Sequence, residues 1–135
     1  MLFWTGFLIF TIDFEKDCTM PVTVKRVENN RQLKLFVDFP NKLYKESPYY
    51  VPELFDDAVN TLRKDRNAAF EFCDADYFLA YRDGEVVGRI AVIENKASNE
   101  KWGQKAARFG WVDFIDDAEV VDALFAAAEG WAREH

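Results

Sequence analysis

Two carboxylates sit where a cleft between strands could use them. Asp113 lies inside the largely apolar run Arg108 to Ile115, and Glu94 closes the run Glu85 to Ile93. A carboxylate drawn out of water gains proton affinity and can act as general base toward a nucleophile such as an amine. Both are therefore candidate catalytic residues; the plainer reading has each facing water. Alternation along Phe109, Trp111 and Asp113 against Gly110, Val112 and Phe114 leaves the face of Asp113 open. Arg89, set among apolar neighbours, either pairs with a carboxylate on an adjacent strand or marks a functional face. His135 is the sole histidine and the last residue, where chain ends fray, so no Ser-His-Asp or Cys-His arrangement can be built on it. Cys18 and Cys73 lie far apart in no metal-ligand or redox spacing. They read as small buried hydrophobes, with no metal site expected and the reducing cytoplasm as the expected compartment.

Something must position these groups, and the chain is long enough to build it. At 135 residues, with 50% hydrophobic residues, 13 Phe and 4 Trp, it can fold as one domain around a sizeable core. A net charge of −7 argues against nucleic acid or an anionic membrane as partner, because both need clustered Lys and Arg. Residues 1–19 open with the apolar run Met1 to Ile12, which has no basic start and leads into the acidic Asp13 to Asp17. That is neither a secretory signal nor the roughly 20 apolar residues of a membrane span. The run is an extension ahead of a start at Met20, an extra edge strand over Phe7 to Phe14, or an apolar patch for a partner.

Residues 20–135 read as the main domain. Val22, Val24 and Val27 suggest a short strand. Asn29 or Asn30 caps a helix whose Leu33, Phe36 and Val37 share a face, and Pro40 should end or bend it. Pro48 and Pro52 keep the next segment extended; Pro52 suits the first turn of a second helix bearing Leu54, Phe55, Ala58 and Leu62. Arg63, Lys64 and Arg66 fit that helix's C-terminus, or a small anion site. The runs Tyr77 to Tyr81 and Glu85 to Ile93 flank Arg82-Asp83-Gly84, a tight-hairpin signal. After a polar connection, Glu94 to Lys105, comes a strand over Arg108 to Ile115. A helix then starts at Asp116 or Asp117 and carries an apolar stripe of Val120, Val121, Leu124, Phe125, Ala128, Trp131 and Ala132. The expected class is α+β: a largely antiparallel sheet of about four strands with three flanking helices.

Leu43-Tyr44-Lys45, Pro48-Tyr49-Tyr50-Val51-Pro52, Tyr77 to Gly84 with Val87-Gly88-Arg89-Ile90, Arg108-Phe109-Gly110 and Phe114-Ile115-Asp116-Asp117 together resemble the N-terminal part of bacterial GNAT-like N-acyltransferases. The resemblance spans about Val22 to His135 and implies a fold cut before its fifth strand. It implies acyl transfer from acetyl-CoA or another acyl-CoA to a small-molecule or peptide amine; the alternative is a non-catalytic GNAT-like binding or interaction domain. By the same analogy the backbone of Phe114, Ile115, Asp117 and Ala118 would meet the donor. Asp116, Glu119 and Val121 stand where that pattern has Arg or Gln, Gly and Gly, so three carboxylates, Asp116, Asp117 and Glu119, would face a pyrophosphate; otherwise they serve only as helix caps. A bare edge at Arg108 to Ile115 would invite a homodimer.

Overall fold

The computed structural model describes residues 20–135, so the readings of residues 1–19 and of Cys18 lie outside it. Strand β1 (Thr23–Arg26) leads to helix α1 (Asn30–Leu43) and helix α2 (Phe55–Leu62), then a short 3-10 turn at Ala68–Glu71. Next come β2 (Cys73–Arg82), β3 (Glu85–Asn95), α3 (Lys96–Trp102), β4 (Ala107–Phe114) and α4 (Ala118–Glu134). The four strands form one antiparallel sheet in sequence order.

The expected architecture stands, with one helix more than the sequence suggested. Asn29 caps α1 by accepting from Gln32 N at 2.9 Å, while Gln32 Oε1 accepts from Glu28 N at 2.7 Å. Pro40 does not end this helix, which runs three residues beyond it. Helix α2 starts at Phe55, so Pro52 lies ahead of the first turn rather than in it, and Leu54 is the first residue whose carbonyl accepts an α-helical bond. Helix α3 lies within the expected polar connection. Its caps are legible, Asn95 at one end and Gly103 at φ 59° at the other, but with no buried residue it leaves no apolar stripe to read.

Each face of the sheet carries its own core. On one, α1 and α2 lay Leu33, Phe36, Val37, Ala58, Val59 and Leu62 over Ala75, Tyr77, Leu79 and Ala91. On the other, α4 lays Val120, Leu124, Ala128 and Trp131 over Phe78, Ala80, Ile90 and Val92. Odd positions of β2 serve the first face and even ones the second, as the two-residue period requires. Polar groups in these layers are satisfied: Tyr77 donates to Leu62 O at 2.9 Å and Trp131 Nε1 to Asp76 Oδ2 at 2.8 Å. Arg63 pairs with Asp65, and Lys64 with Asp74 and Asp76, so this basic cluster has carboxylate partners.

Candidate functional site

Arg89 and Asp113 are direct cross-strand partners on β3 and β4. Both Nε, at 2.8 Å, and Nη2, at 2.7 Å, reach Asp113 Oδ2. The third contact is to the helix above. Pro40 has no N–H to give the carbonyl four residues back, which leaves Phe36 O free, and Arg89 Nη1 donates to it at 2.9 Å. The guanidinium also lies over the rings of Phe36 and Trp111, 5.1 and 5.5 Å from their centroids. Arg89 is only 6% exposed, and this set of contacts is what makes its burial tolerable.

Asp113 Oδ1, the other carboxylate oxygen, accepts a hydrogen bond from Tyr44 Oη at 2.7 Å. Tyr44 is the residue that closes α1, and its ring meets that of Tyr50 at 5.1 Å. Tyr50 in turn donates to Asn41 Oδ1 at 2.8 Å. The bond to Asp113 is the main reason the Tyr44 hydroxyl is held above the ordinary tyrosine pKa; burial does the same for Tyr50. Pro40, Asn41, Tyr44, Tyr50, Arg89 and Asp113 line a cavity of about 160 Å³, with Val51 and Glu53 also on its wall.

A bulge in β4 decides which face Asp113 takes. The register runs Gly88 to Phe114 and Arg89 to Asp113, then resumes at Ala91 with Gly110, one residue out of step. Trp111 absorbs the extra residue at φ 48°, a conformation that costs a bulky side chain of order 1–3 kcal/mol. Phe109 therefore packs edge-on against Phe125 of α4, while Asp113, also odd-numbered, points to the α1 side. Simple alternation fails here because the strand changes phase inside the very run that carries the carboxylate.

The turn from β4 to α4 is built around Arg82. Its guanidinium donates to Asp117 Oδ2 at 2.6 Å, Glu119 Oε2 at 2.9 Å and Met20 O at 3.0 Å. Asp117 also caps α4, accepting from Glu119 N at 2.9 Å, and its carboxyl is held below the usual carboxylate range by Arg82 first of all. The N–H of Ile115 goes to Val87 O, and that of Asp117 to Ile115 O. With its own carboxylate on the helix end and one cation against three acids, this turn does not fit a pyrophosphate.

No family model matches the chain. Among solved structures it is similar to a tandem GNAT protein from the clavulanic acid biosynthesis pathway, solved without AcCoA. The TM-score is 0.65 at 19% identity, over 84% of this chain and 34% of that one. The chain has the GNAT fold. In sequence, this GNAT-like chain is 34% identical over 110 residues to Protein YghO of Escherichia coli, and 33% identical over 113 residues to the bacterial ceramide synthase of Caulobacter vibrioides. These matches take in 82% and 83% of the chain but only 28% and 29% of the relatives, so the chain spans under a third of their length.

On the GNAT-like sheet the two candidate carboxylates are not brought together. Glu94 pairs across β3 and β4 with Ala107, five residues along β3 from Arg89, which puts it roughly 17 Å from Asp113 along the strand. It accepts from Asn99 Nδ2 at 3.3 Å and lines a separate depression near Lys105 and His135. His135 stacks on Trp131 with ring centroids 3.9 Å apart. Of the four residues expected to meet the donor, Ile115 and Asp117 have committed their N–H groups, whereas strand alternation turns the Phe114 N–H away from β3. Ala118 opens α4. Among the described residues no three His, Cys, Asp or Glu side chains gather as a metal needs, and no helix is long and apolar enough to cross a membrane. Tyr44, Tyr50 and Asn41 were not singled out as site residues from the sequence. The one signal is the Tyr49-Tyr50 pair between Pro48 and Pro52, which includes neither Tyr44 nor Asn41.

Proposed function

We propose that the whole protein transfers an acyl group from an acyl-CoA to the amine of a long-chain amphiphile, and that this domain receives the amine at Asp113. The observation that carries the reading is the convergence of Asp113, Arg89, Tyr44 and Tyr50 on one small cavity beside the outer strand of a GNAT-like sheet. Support for the amine comes from the relative named a ceramide synthase, since a ceramide is a long-chain base acylated on nitrogen. Support for the chain comes from the connection that contributes Tyr50, Val51 and Glu53 to the wall: Val51 is 82% exposed, and Tyr49 and Leu54 on the same connection are 91% and 74% exposed.

In this reading Asp113 accepts a hydrogen bond from the amine nitrogen, and Arg89, fixed by Phe36 O, keeps the carboxylate from turning away. The apolar rim takes the aliphatic chain. The β4 to α4 turn is given no contact with the donor. An acyl-CoA donor would place the reaction in the cytoplasm. The test incubates the full-length protein with long-chain amines and acyl-CoA of several chain lengths and looks for amide by mass spectrometry. Asp113→Asn should lower kcat/KM for the amine by at least about tenfold, in line with one hydrogen bond to a charged group at about 1.5–3 kcal/mol. No amide from the unaltered protein with any pair would overturn the proposal.

The acid-capped turn favours a second reading, a GNAT-like domain that binds without catalysing. Amine binding at Asp113 without any turnover would decide for it.

A further inference from the structure

Among the described residues Arg89 and Tyr44 hold Asp113, and only Tyr44 is free to leave. Oδ2 is taken twice by Arg89, whose guanidinium is buried, tied to α1 through Phe36 O and covered by two aromatic rings. Oδ1 has Tyr44 alone. Tyr44 is 36% exposed, sits where the chain leaves α1, and precedes a ten-residue stretch to Leu54 with no helix or strand. Swinging its ring outward breaks one hydrogen bond and one contact with Tyr50, and Tyr44 belongs to neither core cluster. Moving Arg89 would strand a carboxylate and a carbonyl together.

We infer that Tyr44 is a displaceable gate: in the free protein its hydroxyl holds the position on Asp113 Oδ1 that the N–H of a primary ammonium head group takes on binding. The inference rests on the proposed amine site and names the residue that competes for it. Three features point to a compact cation. The Arg89–Asp113 pair is neutral by itself, and the remaining charged side chain on the wall is Glu53, so the cavity is net negative. Asp38, behind Asn41, is matched by Lys42. The volume of about 160 Å³ is below the ~300–1,000 Å³ that holds a whole drug-sized ligand, so a head group fits and its chain must lie outside. A phenol and an ammonium both bring a donor to Oδ1, whereas a quaternary ammonium has none to offer. Gating by Tyr44 therefore screens against heads that cannot replace the bond they break.

The test is calorimetric titration of the full-length protein with dodecylamine and with dodecyltrimethylammonium, no acyl donor being present. Unaltered protein should bind the primary amine measurably more tightly than the quaternary one. Tyr44→Phe keeps the ring and removes the competing hydroxyl, so dodecylamine should bind about tenfold more tightly, the lower end of the worth of one hydrogen bond to a carboxylate. Tyr44→Leu should shift affinity in the same direction, which guards against an effect peculiar to one variant. Asp113→Asn should erase the preference for the primary amine. Unchanged or weaker dodecylamine binding in both Tyr44 variants, or no binding to any form, overturns the gate. Because no acyl donor is used, a tightened Tyr44→Phe variant alongside absent amide product would sink the acyl-transfer reading and leave the gate standing.

Discussion

Arg89 serves two acceptors: Asp113 Oδ2, reached by Nε and Nη2, and Phe36 O, reached by Nη1. Removing it leaves a largely buried carboxylate without its cation, held by Tyr44 alone, and a carbonyl without a donor. Arg89→Met should therefore destabilise by about 3–5 kcal/mol, the cost of breaking a buried pair from one side. Arg89→Lys keeps the charge, but a single ammonium cannot span Asp113 and Phe36 O, so an intermediate loss of about 1–2 kcal/mol is expected. Urea unfolding checks both; equal midpoints for Arg89→Lys and the unaltered protein would show that the carbonyl contact contributes nothing. Arg89 was visible in the sequence as a charge that needed a partner on a neighbouring strand, and it has one. The choice of Asp113, and the helix carbonyl as third partner, depended on register and on a proline 49 positions away.

At the scale of elements, proline and glycine set how closely the layers meet. Pro40 stays inside α1 because the bond it forfeits is supplied from the sheet. Pro40→Ala returns an N–H to Phe36 O, so the cost of Arg89→Met should fall by about 1 kcal/mol in that background; strict additivity in a double-mutant cycle would refute the link. Gly88 lets α4 lie on β3: a Cβ there would stand 2.8 Å from Leu124 Cδ1 and 2.9 Å from Val120 Cγ1. Gly88→Ala should cost about 1–3 kcal/mol by overpacking, read as a lowered Tm. The β2–β3 hairpin was legible because its turn is local: Asp83 and Gly84 both take positive φ, at 51° and 76°, which that residue pair favours. The phase shift in β4 was not, because Trp111 has no intrinsic preference for φ 48° and enters it only when packing on both faces demands it.

Across the whole molecule Arg82 ties the end of β2 to the chain before β1 and to the start of α4. Asp117 has its folded pKa lowered, chiefly by this hydrogen bond. The contribution is thus fully present above the unfolded carboxyl pKa of about 4 and is lost as pH falls through the lower folded value. The stability gap between the unaltered protein and Arg82→Met should be largest near neutral pH and shrink below about pH 4. A gap that stays constant from pH 7 to pH 2 in thermal unfolding would exclude the clamp. Sequence by itself determined the order of the four strands and of every helix but α3, the hairpin and the faces of α1 and α4, because periodicity, caps and turn residues act within a few positions. Only tertiary structure decided that Asp113 faces α1, that Arg82 claims two of the three acids in the turn, and that Tyr44 closes on Asp113 from 69 residues away. Those outcomes depend on strand register and on layer contacts, which join residues that no local pattern relates.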